Sequence, residues 1–287
     1  MRVLIIGFDT PVGQALGRLF TQREREFVGL KRSDCRWKRE RQAKKSLRRS
    51  ACDMVIDLRV QAAADGGVKV HESDIERSRW LAQSAQGSSI PLMALSCARV
   101  FSGEGGQPYR EEDSPDVDTS IAELLVNAEA AVREHCERHF ILRMGPVFAP
   151  SGINVVTYML HRLDANEVLY LDRDNRGCPV AAEDAAWVIS AVVDQCSCGV
   201  EAWGDYHYCS ADITSCYEFG EVLLAAASQY RDLQDDVVRE KTESLALNRK
   251  LDCSKIRDTF AIRQQFWRSS VAGHVKQYYA ESEAAKP

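Results

Sequence analysis

A chain of 287 residues with 45% apolar side chains can bury a large core, and it contains no run of about eighteen apolar residues that would cross a bilayer. Its net charge of −5 conceals a basic arm: Lys31 to Arg49 holds ten Lys or Arg against Asp34 and Glu40, so the arm is +8 and the remainder −13. That balance disfavours general nucleic-acid binding and leaves one segment where an anion could be held. Ten cysteines with no export signal read as reduced thiols of a cytoplasmic protein, and Cys196-Ser-Cys198 has no second pair at ligand spacing, so no metal is expected.

The first 150 residues alternate between strand and helix patterns. Arg2–Ile6 is a short apolar, β-branched run, and Val12–Thr21 shifts to helical spacing. Glu26–Leu30 is a second strand, followed by the basic arm, helical from about Glu40. Asp53–Asp57, Ile90–Ser96 and Phe140–Arg143 read as strands three to five, with helices over Val70–Ala85 and Ser120–Cys136 between them. This alternation predicts an α/β fold, a Rossmann-type doubly wound parallel sheet, whose ligands sit just outside the carboxyl ends of its strands. Beyond Gly145 the rhythm loosens. Helices are expected over Ile153–Leu163, Ala182–Val193, Tyr217–Tyr230, Leu251–Phe260 and Val271–Tyr279, with strands at Glu167–Asp172 and Tyr206–Cys209. The expected division is a dinucleotide-binding domain over residues 1–150 and a smaller α/β substrate lobe over 151–287, interleaved rather than tethered.

The first turn reads Gly7-x-x-Thr10-x-x-Gly13. Outer glycines suit a tight turn and close backbone approach to a pyrophosphate, with Thr10 where a third glycine would stand. Pro11 is acceptable at a first helical position, and Val12 and Gly13 follow it into the helix. An ordinary strand–turn–helix explains the same residues. Lys31 and Arg32 follow strand two where an acid would accept from a ribose hydroxyl, so a dinucleotide bound here would be NADP(H). Beyond Arg36 a solvated basic helix is the simpler reading.

The region Leu95-Ser-Cys-Ala-Arg-Val-Phe-Ser-Gly103, continued by Gln107-Pro-Tyr-Arg-Glu-Glu-Asp-Ser-Pro115, resembles the end of strand four and its loop in the dTDP-4-dehydrorhamnose reductases, members of the extended short-chain dehydrogenase/reductase superfamily. The resemblance continues, in order, through Ile141-Leu-Arg-Met-Gly-Pro-Val-Phe148, Asn175-Arg-Gly-Cys-Pro-Val-Ala-Ala-Glu-Asp184, Tyr217-Glu-Phe-Gly220, Leu251-Asp-Cys-Ser-Lys-Ile256 and Phe266-Trp-Arg268. It implies an NAD(P)-binding domain with a nucleotide-sugar lobe, and reduction of a 4-keto sugar nucleotide. In that chemistry a Tyr gives the proton, a Lys four residues on lowers the phenol pKa, and a Ser or Thr at strand four orients the keto oxygen. Carried over, those positions fall on Ile121, Leu125 and Cys97, and no Tyr-x-x-x-Lys occurs anywhere in the chain. Ile121, Leu124, Leu125, Ala128 and Val132 form an apolar stripe instead. Tyr109 is the remaining candidate acid, read otherwise as a loop tyrosine. Cys97 could act as a nucleophile beside a base, but His71 and His135 are not placed for it by sequence, and a buried inert thiol is the plainer reading.

Strand three ends Ile56-Asp57-Leu58-Arg59 where the family usually has Asn-Ala-Ala, so Asp57 would repel a pyrophosphate unless Arg59 compensates. The resemblance thus implies cofactor contacts from Gly7, Thr10, Pro11, Val12, Gly13, Lys31, Arg32, Asp57, Leu58, Arg59 and Ser96. It implies substrate contacts from Arg99, Val100, Phe101, Arg143 and Arg176. The expectation is a catalytically impaired relative that keeps a nucleotide or nucleotide-sugar site and acts by binding. The alternatives are an active NADPH-dependent reductase on a dTDP-4-keto sugar or similar carbonyl, and a cofactor-free scaffold whose basic arm meets an anionic partner. The regulatory beta subunit of methionine adenosyltransferase resembles the same reductases and works as a partner protein. A protein partner, or a homodimer through the exposed face of Ser120–Cys136, is therefore also considered.

Overall fold

The computed structural model describes residues 1–65, 70–116, 119–233, 237–241 and 245–284. Lys69, which bounds the long lysine-free stretch ending at Lys241, lies outside the described residues. The strands, in chain order, are β1 (Val3–Ile6), β2 (Phe27–Leu30), β3 (Met54–Asp57), β4 (Leu92–Cys97), β5 (His139–Met144), β6 (Val147–Phe148), β7 (Leu169–Leu171), β8 (Asn175–Gly177), β9 (Val180–Ala181), β10 (Gly204–Tyr208), β11 (Thr214–Ser215), β12 (Val238–Glu240) and β13 (Leu247–Asn248). The helices are α1 (Pro11–Gln22), α2 (Glu40–Ser50), α3 (Arg59–Asp65), α4 (Glu72–Gln86), α5 (Ser120–His135), α6 (Val155–Asp164), α7 (Ala182–Ser197), α8 (Cys216–Ala227), α9 (Ser254–Phe260) and α10 (Arg268–Ala284). Among the described residues, no helix is long and apolar enough to cross a membrane.

Six strands form one parallel sheet in the order β10-β5-β4-β3-β1-β2. All four residues of β1 and of β3 are buried, as continuous apolar runs covered on both faces should be. One face packs Val3, Ile5, Met54, Ile56, Met93 and Leu95 with α1 and α7; the other packs Leu4, Ile6, Val55 and Leu92 with α2 and α4. The strand order reverses between β1 and β3, and the crevice above that point is where this fold takes ligands.

The doubly wound sheet agrees with the expectation from the alternating pattern. The boundary at residue 150 is crossed, however. Strand β10 returns to the main sheet beside β5, with Phe140 registering on Gly204 and Met144 on Tyr208. Helix α7 packs along α1, where Asp194 accepts from Arg23 and Arg25, and Glu183 from Arg18. A second core forms around Phe148, Met159, Phe219, Trp267 and Val271, which gathers β6, α6, α8 and α10 into a lobe of their own. The helix expected from Leu251 starts only at Ser254. Residues 250–252 are extended because their backbone pairs with Tyr109: Tyr109 N–H donates to the Lys250 carbonyl at 2.9 Å, and Asp252 N–H to the Tyr109 carbonyl at 2.7 Å.

Candidate functional site

Gly7 adopts φ +84°, a conformation that side chains resist, and the turn that follows is closed by its own hydrogen bonds. Thr10 Oγ1 donates to the Gly7 carbonyl at 2.7 Å and accepts from Gly13 N–H at 3.1 Å, capping α1. A side chain at position 10 thus serves the turn itself. A Cβ on Gly13 would lie 2.5 Å from the Gly7 carbonyl oxygen, so this glycine is what lets α1 start against the turn. Pro11 has no N–H and that of Gly13 is engaged, which leaves Val12 to offer a helix N–H to an anion. Beside the turn, Arg32 donates through its backbone N–H and Nε to Asp9 at 2.7 and 3.1 Å, while Lys31 is exposed.

At the tip of β3, Asp57 does not stand as a bare carboxylate. Arg59 Nε and Nη2 donate to its two oxygens at 2.8 and 2.7 Å, both residues are buried, and the guanidinium lies 5.3 Å from the Trp37 ring. Arg59 compensates Asp57 internally, so the repulsion anticipated from sequence is cancelled at its source. Leu58 is wholly buried with its Cβ against the Gly7 backbone, which makes it packing beneath the crevice.

A cleft of about 240 Å³ opens between the carboxyl end of β4 and the C-terminal lobe. Cys97, Ala98 and Arg99 form its sheet side; Asn175, Arg176, Thr214, Ser215 and Cys216 form the lobe side, and Arg249 joins them. Three of its fifteen lining residues are arginines, and none is Asp, Glu, His, Lys or Tyr. Arg176 Nη2 lies 2.9 Å from each carboxylate oxygen of Glu218. Arg249 donates to the Phe101 carbonyl at 2.9 Å and to Asn175 Oδ1 at 3.0 Å, and it has no carboxylate partner among the described residues. A Cβ added to Gly103, at φ +88°, would lie 3.0 Å from Arg249 Cγ, so this glycine leaves the room that the arginine stem occupies. Burial, and then the neighbouring Arg99, hold the Arg249 guanidinium below its ordinary pKa. Arg99 is exposed in the cleft and makes no hydrogen bond or ion pair with a described residue.

Several expected site residues lie elsewhere. Arg143 is not in the cleft. Its side chain is buried and bidentate on Glu129 at 3.0 and 2.7 Å, because a charge on the inner face of β5 requires a partner. Val100 and Phe101 are fully buried in the main core, with Phe101 stacked on Tyr109 at 4.2 Å. Tyr109 is not a free acid in the cleft: its hydroxyl accepts the N–H of Gly103 at 3.0 Å and that of Gly105 at 3.4 Å, shaping the loop. Ser96 is buried and faces a small internal void beside Asp57 and Leu125. Leu125 is wholly buried, and Ile121 packs partly buried against the same core. Sequence reasoning missed Arg249. Its only signal was a cation two residues before the matching Leu251 motif.

The family model described as RmlD substrate binding domain matches residues 1–280. The chain belongs to that family. A dTDP-4-dehydrorhamnose reductase of Sinorhizobium fredii is 26% identical over 237 residues, covering 78% of this chain and 80% of that protein. Among solved structures, a dTDP-4-dehydrorhamnose reductase of Clostridium acetobutylicum superposes with a TM-score of 0.81 at 19% identity, over 96% of this chain and 99% of that one. The Bacillus anthracis dTDP-4-dehydrorhamnose reductase in complex with NADP gives a TM-score of 0.78 at 18% identity, over 98% of both chains. These superpositions establish the RmlD fold across sheet and lobe. In this RmlD-family member Cys97 lines the cleft at the end of β4, whereas Leu125 of α5 is buried in the main core and Ile121 packs partly buried against it.

Proposed function

We propose that this protein binds a nucleotide or nucleotide sugar in the cleft between β4 and the C-terminal lobe, and acts by that binding rather than by reducing its ligand. The observation that carries the reading is the lining of the cleft. It holds three arginines suited to phosphate oxygens and no phenol, imidazole, ammonium or carboxyl group able to exchange a proton near neutral pH. A guanidinium remains protonated throughout and cannot replace the tyrosine.

NADP(H) is the dinucleotide that suits the remaining crevice. The Val12 N–H would hold a pyrophosphate oxygen, and Lys31 with Arg32 would hold a 2′-phosphate. The Asp57–Arg59 pair supports this, since it removes an uncompensated negative charge from beside the phosphates. When bound, that cofactor would supply a hydride; in this reading the protein's residues bind and orient without a tyrosine and lysine in the cleft to complete the reduction.

Calorimetric titration with NADPH, NADH and dTDP-glucose, followed by NADPH consumption with a dTDP-4-keto sugar, tests the proposal. Binding of NADPH and dTDP-glucose with weaker NADH, and no consumption above the protein-free rate, is expected. Steady turnover would overturn the loss of chemistry. Absence of binding up to millimolar ligand would overturn the binding role and leave a scaffold.

A further inference from the structure

Beyond Arg32, the basic arm takes no part in either proposed nucleotide site. Its second half is α2. Ala43, Leu47 and Ser50 of that helix are buried, while Arg41, Lys44, Lys45, Arg48 and Arg49 are exposed. At 3.6 residues per turn the five cations fall within an arc of about 140°, opposite the buried three, and make a strip about 12 Å long. Arg36, Lys38 and Arg39 lead into the strip and are exposed as well. None of these eight side chains forms a salt bridge with a described residue, and Glu40 is the one acid on the helix. Arg41 and Lys45, Lys44 and Arg48, and Lys45 and Arg49 are like charges four residues apart, an unfavourable spacing. The helix dipole favours Arg48 and Arg49 in the last turn, but it disfavours Arg41 in the first. The strip is thus self-repelling, and an anion laid along it would relieve the repulsion.

We propose that this strip docks a short acidic segment of another protein, with Asp or Glu recurring every three or four residues. The docking is separate from whatever fills the cleft. Guanidinium forks and ammonium groups donate to carboxylates, and an acidic helix repeats its side chains at the same interval as α2. Two observations select this partner over other anions. No large apolar or aromatic side chain between Lys31 and Ser50 is exposed, so the strip offers nothing to stack on nucleic-acid bases or to insert among lipid tails. The strip is also short, and the rest of the chain carries the excess of negative charge. A long polyanion or a bilayer would overrun the strip and meet that charge, whereas a segment of about two helical turns would not.

The test follows the fluorescence anisotropy of labelled deca-glutamate and of deca-thymidylate with the full chain. Co-sedimentation with vesicles of phosphatidylcholine and phosphatidylserine is measured beside it. Expected is tighter binding of the peptide than of the oligonucleotide, no co-sedimentation, and an affinity that falls about tenfold as salt rises from about 0.05 M to 0.2 M. Arg41→Gln combined with Lys45→Gln should weaken the peptide about tenfold and raise the denaturation midpoint, since two repelling charges are gone. Arg263→Gln combined with Lys276→Gln removes the same charge from other exposed positions and should leave the affinity unchanged. Equal weakening by the two variants would overturn the inference, because net charge alone would then be at work. Tighter binding of the oligonucleotide, or co-sedimentation with vesicles, would overturn the peptide partner. No peptide binding at the lower salt concentration would leave the arm a solvated helix face.

Discussion

At the scale of single residues, the most constrained charges lie behind the cleft rather than in it. Glu129 accepts from Arg143 and, at 2.8 Å, from Arg133, which also reaches Asp205 at 2.6 Å. His207 completes the group: Nδ1 lies 3.1 Å from the Tyr109 carbonyl and Nε2 3.3 Å from Arg143 Nη1, an arrangement satisfied by a neutral ring donating from Nδ1 and accepting at Nε2. Removing Glu129 would strand the buried Arg143, so Glu129→Ala should lose about 3–5 kcal/mol of unfolding free energy. Denaturant titration checks this, and a loss below 1 kcal/mol would show that the pair is not the anchor described. Burial, and then Arg143, push His207 down to about 4 from an ordinary 6.5. The unfolded chain therefore binds a proton that the folded ring refuses. The stabilisation is full above pH 6.5 and falls as pH drops from 6.5 towards 4, by roughly 3 kcal/mol at most. Unfolding measured from pH 7.5 to 4.5 should show that decline, and His207→Gln should flatten it relative to the parent chain.

At the scale of elements, the turn between β1 and α1 is the most exacting piece. Gly13 sits where an added methyl would meet the Gly7 carbonyl oxygen at 2.5 Å and Phe8 Cα at 2.8 Å, both backbone atoms that cannot rotate aside. Gly13→Ala should cost about 2–3 kcal/mol by forcing the turn and helix apart, read as a lower denaturation midpoint. An unchanged midpoint would mean that the turn yields easily. This element was legible in the sequence because its signals are local: a β-branched run, glycines at fixed offsets and a proline at the first helical position, whereas the capping role of Thr10 was not read from them. Arg143 was not legible for the opposite reason. Its place near the end of β5 suggested the crevice, but which face it takes depends on Glu129, fourteen residues earlier on another element. Tyr109 is the loop tyrosine that the sequence offered as the alternative to an acid, but its hydroxyl is claimed by backbone N–H groups that no side-chain pattern announces.

At the scale of the whole molecule, family membership follows from colinear motifs that no single motif could secure, and the apolar stripe on α5 was readable as a helix face turned inward. The arginine cleft was only half readable. Arg99 and Arg176 stand inside recognisable motifs, whereas Arg249 arrives through the fold, from a segment drawn back beside the strand-four loop. The sheet itself bears on how the chain is made. Strand β5 lies between β4 and β10, and β10 belongs to residues synthesised well after it. While the protein leaves the ribosome, five strands can assemble with one flank of β5 bare, a transient template for pairing with another nascent chain. Among the described residues, no strand before Gly204 pairs with that flank. A ribosome that stalls in the preceding helix would thus hold a nearly finished sheet in its most adhesive condition.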